Sequence, residues 1–167
     1  MTKSHRMLSL VLLAAATLTA TSTFAQTNAE KAFASIKNMP GTWEGKTPDG
    51  QALQVSFKVT AGGSAVMSEI MGKEDMISMF HLDGPNKLLM THYCAAGNQP
   101  RMQASVSPDG KVITFNFLDA SNLDSPEAGH MHSMTLTMLD ENHHTEEWSF
   151  HDHGKEMKEV FDLRRKM

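Results

Sequence analysis

Histidine, cysteine and arginine are the side chains here that could ligate a metal, attack a substrate or anchor a charge, and they are unevenly spread. The stretch Leu88–Met102 (LLMTHYCAAGNQPRM) holds His92, Tyr93, Arg101 and the only cysteine, Cys94. His92 and Cys94 alternate along one run, so on a strand both face the same side and Tyr93 faces the other. Such a pair resembles a nucleophilic dyad, and Arg101 adds an anchor for an anionic group. The sequence shows neither an orienting partner nor an oxyanion donor for it. A lone cysteine is more often a small buried hydrophobe.

Nine histidines include three tight pairs, His130-Met131-His132, His143-His144 and His151-Asp152-His153. His-x-His on a strand turns both rings to one side, as a zinc or copper chelate needs. An even register across the Asp140–His143 turn lays His132 opposite His151 and His130 opposite His153, gathering four imidazoles as a divalent-metal site. The same register mixes Met134, Leu136 and Met138 with Thr145, Glu147 and Ser149. An odd register, made by a bulge, instead sets the three apolar residues against Glu146, Trp148 and Phe150. The odd register is favoured because it sorts apolar from polar faces, and it separates the histidine pairs, leaving them as solvated side chains near strand ends.

Fourteen methionines are the second oddity. Thioethers fill irregular cores, and a methionine-rich wall also suits an adaptable pocket for an apolar ligand or a haem. Phosphate-binding loops and zinc-protease helices are absent from the sequence.

The elements that must position these side chains are punctuated by turn residues. Lys3 and Arg6, the apolar run Met7–Ala16 and the small residues to Ala25 read as a secretory signal peptide cleaved after Ala25, which places the mature chain, 26–167, in the periplasm or outside the cell. The apolar run is short for a bilayer span, and no later stretch approaches one, so the mature chain has no expected transmembrane segment. Gln26–Met39 is a helix, with Asn28 as its cap and Ala29, Ala32, Phe33 and Ile36 on one face. After Pro40-Gly41 the period changes. Turn signals then bound about ten strands, near 41–46, 51–60, 64–71, 75–83, 87–95, 101–107, 111–119, 130–139, 144–152 and 155–165. Regular spacing without intervening helices predicts an all-β, up-and-down, antiparallel closed barrel forming one domain, with the N-terminal helix packed across one end.

Register then assigns an interior. Pairing Leu82 with Lys87 puts Ile77, Met79 and His81 beside Leu88, Met90, His92 and Cys94. Pairing Asp152 with Lys155 puts Trp148 and Phe150 beside Met157, Glu159 and Phe161, with Glu146 also inside. The unpatterned segment 122–129 is expected as a mobile loop over one mouth. The formal charge of −4, more negative once Lys3 and Arg6 are removed, and the lack of a basic stripe exclude a nucleic-acid partner. One cysteine forms no internal disulfide, so burial must stabilise the domain.

The helix followed by Gly41-Thr42-Trp43-Glu44-Gly45, with a last strand ending Phe161-Asp162-Leu163-Arg164-Arg165, resembles the calycin barrels: lipocalins, fatty-acid-binding proteins and nitrobindin-like haem barrels. In that group an arginine from a late strand often covers the tryptophan at the closed end, which implies Arg164 or Arg165 over Trp43. The block Thr91–Met102 is similar to one in exported bacterial lipocalin-like proteins with no assigned activity. Together these readings predict a carrier of a small, largely apolar ligand, with Trp43, Met79, His81, Met90, His92, Cys94, Arg101 and Trp148 around it. The alternatives are a haem or metal protein, with His130, His132, His151 and His153 as metal ligands, and an enzyme using His92, Cys94 and Arg101.

Overall fold

The computed structural model describes residues 25–72 and 74–167; the expected signal peptide, Ala25 apart, lies outside the described residues. The chain forms α1 (Asn28–Lys37) and ten strands: β1 (Gly41–Lys46), β2 (Ala52–Thr60), β3 (Ala65–Met71), β4 (Met76–Leu82), β5 (Leu88–Tyr93), β6 (Gln99–Val106), β7 (Val112–Ser121), β8 (His130–Asp140), β9 (His143–Asp152) and β10 (Lys155–Arg165). Each strand pairs antiparallel with its neighbours in sequence, and β1 pairs with β10 to close the barrel. Closure gives every strand a neighbour on both sides over part of its length.

The helix starts at Thr27, one residue before the expected cap. Thr27 accepts from the Glu30 backbone N–H at 3.2 Å and its own N–H donates to the Glu30 carboxylate at 2.8 Å, a reciprocal box that Asn28, already inside the helix, cannot form. Ala29, Ala32, Phe33 and Ile36 are buried. The Thr27 hydroxyl bonds to the Pro85 carbonyl in the β4–β5 loop, which ties the helix to the end of the barrel that it covers.

The same end carries the β1–β10 seam. Only Trp43↔Arg165 and Glu44↔Arg164 are paired across it. The Arg165 guanidinium lies 4.2 Å from the Trp43 ring and donates to the Pro40 carbonyl at 2.8 Å, while the Trp43 indole donates to the Met39 carbonyl at 3.0 Å. The expected arginine lid is therefore Arg165. The seam is tight: a Cβ added to Gly45 would stand 2.3 Å from the Asp162 carbonyl oxygen, so only glycine lets β1 approach β10 there.

Two registers decide what faces inward. The last hairpin is as expected, with Trp148↔Glu159 and Phe150↔Met157. The β4–β5 hairpin is not. Asp83 N–H bonds to the Lys87 carbonyl, which closes the loop one position earlier than the sequence suggests and pairs Leu82 with Leu88. A slip of one residue reverses a strand. Ser78, Phe80 and Leu82 thus join Leu88, Met90 and His92 inside, while Ile77, Met79 and His81 lie on the outer face. The fully buried core runs through Val55, Val66, Phe80, Met90, Met102, Phe115, Leu136 and Leu163.

Candidate functional site

At the end opposite the helix, the barrel opens into a cavity of about 450 Å³. Its walls are Ile70 of β3, Met76 of β4, Met131 of β8, Trp148 and Phe150 of β9, and Met157 and Phe161 of β10; Cys94 follows β5, and Glu74 and Glu159 supply the carboxylates. Alternation on β9 and β10 aims these side chains inward: Met157 sits across from Phe150 and Glu159 across from Trp148. Met157 remains 52% exposed, because it faces the opening. The Cys94 thiol is held above its usual pKa, first by burial and also by the nearby Glu74, and so stays a weak nucleophile.

His92 lies beneath this cavity and is completely buried, its ring 4.8 Å from that of Trp148. Burial depresses its pKa to about 4, so the ring is neutral near pH 7. Its Nδ1 stands 2.9 Å from the Ser78 hydroxyl. If Ser78 donates, one ring N–H is left over; the reverse tautomer orphans both a hydroxyl proton and a ring acceptor, so the proton belongs on Nε2. That Nε2 has no partner among the described residues.

Deeper in the interior, the Trp148 indole donates to Glu146 Oε2 at 3.0 Å. His144 Nε2 lies 3.4 Å from Glu146 Oε1 without hydrogen-bond alignment, and the His144 ring packs edge-on to Trp43 at 4.3 Å. A thread of polar groups thus runs through the apolar core. Ser78, His92, Trp148, Glu146 and His144 are its members, and all are buried. Glu146 carries weight in sequence reasoning only as an inward carboxylate; its indole partner two positions on along the same strand completes the thread.

The sequence-predicted ligand set divides. Cys94 and Trp148 line the cavity, and Met90 and His92 lie in the core below it. Met79 and His81 point outward, for the register reason given above. Trp43 belongs to the closed end with Arg165. Arg101 is exposed and grips Asp119, Nε to Oδ1 at 2.6 Å, across the β6–β7 ladder. Its partner lies on the outer face, so Arg101 is not brought together with His92 and Cys94.

The histidines also depart from expectation. Alternation in the middle of β8–β9 follows the odd register, with Met134↔Trp148 and Leu136↔Glu146. A second bulge at His132 then shifts the ladder to Met131↔Phe150 and His130↔His151, bringing three rings together where the β7–β8 pairing has ended at Asn116↔Ser133. His132 and His151 stack at 3.8 Å, and His130 Nε2 lies 3.1 Å from His132 Nδ1. The Ala128 carbonyl, 2.8 Å from His130 Nδ1, can only accept, so His130 Nδ1–H donates to it and His132 Nδ1–H donates to His130. Burial, then the neighbouring His151 and His130, lower the His132 pKa. His153 stays apart on Asp152 at 2.6 Å. Among the described residues no group of three or more histidine, cysteine or acidic side chains is arranged to hold a metal ion. Both ring nitrogens of His130 and the Nδ1 of His132 are spent on each other and on a backbone carbonyl.

Segment 122–129 borders this cluster and contributes nothing to the cavity wall. It is tied by Asn122 to Gln99 at 2.7 Å, by the Glu127 carbonyl to His153 N–H at 2.8 Å and by the Gly129 carbonyl to Asn98 at 2.7 Å. The segment thus lies beside the histidine cluster, held at these three points. Haem also fits the opening poorly. No histidine lines it among the described residues, His92 is shielded beneath Trp148, and Glu74 and Glu159 would oppose the haem propionates.

No protein-family model matches the chain, and no curated protein matches it. Among solved structures, Rv2717c from M. tuberculosis is similar over 81% of this chain and 98% of its own, with a TM-score of 0.58 and 14% identity. That likeness is one of fold, and it supports the closed ten-strand antiparallel barrel as the architecture of the chain.

Proposed function

We propose that this protein is exported and that it binds and carries a small, largely apolar molecule in the open mouth of its barrel. The supporting observation is the cavity itself: about 450 Å³, walled by Ile70, Met76, Met131, Trp148, Phe150 and Phe161, with Met157 turned toward it although solvent reaches that side chain. Binding sites for small molecules have this size and an apolar lining with a few polar groups. The fixed depth comes from Trp148, which is held from below by Glu146 and His92 and so acts as the floor.

Only two tryptophans are present, so fluorescence reads the floor directly. Titration of the mature protein with 1-octanol is expected to give a saturable change in emission that Trp148→Phe abolishes and Trp43→Phe preserves. A response that never saturates, or one that survives in Trp148→Phe, would refute the cavity as the binding site. Export is tested by N-terminal sequencing of the protein from its own cells, with Gln26 expected first.

A further inference from the structure

The cavity also carries information about charge, and the inference from it rests on the proposed carrier function. Its ionisable lining consists of Glu74, Glu159 and the Cys94 thiol; no lysine, arginine or histidine lines it among the described residues. The adjoining cleft shares Ile70, Glu74, Met76, Glu159 and Phe161 with it and adds Asp49. Hydrogen bonds from Thr47 and Gln51 keep Asp49 below the usual carboxylate range, so it remains anionic.

Glu159 is directly across the ladder from Trp148 and forms no hydrogen bond or ion pair among the described residues. The nearest lysine in sequence, Lys158, points to the other face and is engaged by Glu147 at 3.5 Å and Glu156 at 3.7 Å. Glu159 is therefore not neutralised by it. Carboxylates on the rim of a low-dielectric recess focus a negative potential into it. Trp148, Phe150 and Phe161 also line the recess, and an aromatic ring attracts a cation seated over its face. An anionic amphiphile such as a fatty acid would meet repulsion at the same rim.

We infer that the ligand is an organic cation, an apolar body seated against Trp148, Phe150 and Phe161 with an ammonium group facing Glu74 and Glu159.

The test compares three probes of equal chain length, octyltrimethylammonium, 1-octanol and octanoate, each below its aggregation concentration, by tryptophan fluorescence of the mature protein. Rim carboxylates are partly solvated, so each contributes modestly. Together with the aromatic faces they should make octyltrimethylammonium bind about tenfold tighter than octanol, with octanoate the weakest. In the double variant Glu74→Gln, Glu159→Gln most of the cation's advantage should be lost while octanol itself is unchanged, which also verifies that the cavity is intact. Equal affinity for octanol and the cation, tighter binding of octanoate, or a cation preference undiminished by the double substitution would overturn the charge assignment and leave the cavity standing. Failure of all three probes to bind saturably would overturn the cavity reading itself.

Discussion

The His92 side chain links burial to acid sensitivity. Its folded pKa of about 4 lies below the ordinary 6.5, so between these values the unfolded chain binds a proton that the folded chain refuses. Stability contributed by this group is complete above about pH 6.5 and is lost as pH falls toward 4, at a cost approaching about 3 kcal/mol. His132, whose pKa is also lowered, acts in the same direction. Urea unfolding at pH 7 and pH 5 should therefore show a marked loss at the lower pH, and His92→Phe should flatten that dependence by the His92 share. An unchanged slope in the variant would mean that the ring is charged or hydrated in the folded state. The interior position of His92 was legible from its place in an alternating run. The outward turn of Arg101 was not, because its partner Asp119 lies on another strand and a bidentate pair leaves no local signature.

Elements reveal where pattern succeeds and where it fails. All ten strands were legible, since glycine, proline and aspartate at each turn interrupt the alternation. The β4 register was not: Ile77 and Met79 on one face compete with Phe80 and Leu82 on the other, so hydrophobicity alone does not choose, and a backbone bond from Asp83 to Lys87 decides. The bulge at His132 was equally hidden, because one extra residue leaves both flanking alternations intact. Two substitutions probe element placement. Thr27→Ala removes the cap and should cost about 1 kcal/mol, read as a lower denaturant midpoint. Gly45→Ala forces a methyl group into the Asp162 carbonyl and should cost more, about 1–3 kcal/mol. A Gly45→Ala protein as stable as the parent would show that the β1–β10 seam has room to move.

At the scale of the whole molecule, the helix and Arg165 close one end and the other stays open. The closed end rests on few groups. Two ladder pairs, the guanidinium over Trp43 with its bond to Pro40, and Lys166, whose N–H reaches the Thr42 carbonyl and whose ammonium pairs with Glu44, hold the first strand to the last. Arg165→Met should therefore raise amide hydrogen exchange first at β1 and β10, ahead of the β8–β9 hairpin. Uniform acceleration across all strands would mean instead that the barrel opens only by unfolding globally.

Apart from this seam, every ladder joins strands consecutive in the chain, and Lys166 N–H reaches the Thr42 carbonyl at 2.8 Å, so β10 ends beside the start of β1. A ring whose tail meets its head has no privileged beginning. A linker from the C-terminus to Gln26, which keeps the helix ahead of Gly41, would let the polypeptide start at the exposed His153-Gly154 turn instead, with the same wall rebuilt from a rotated order of hairpins.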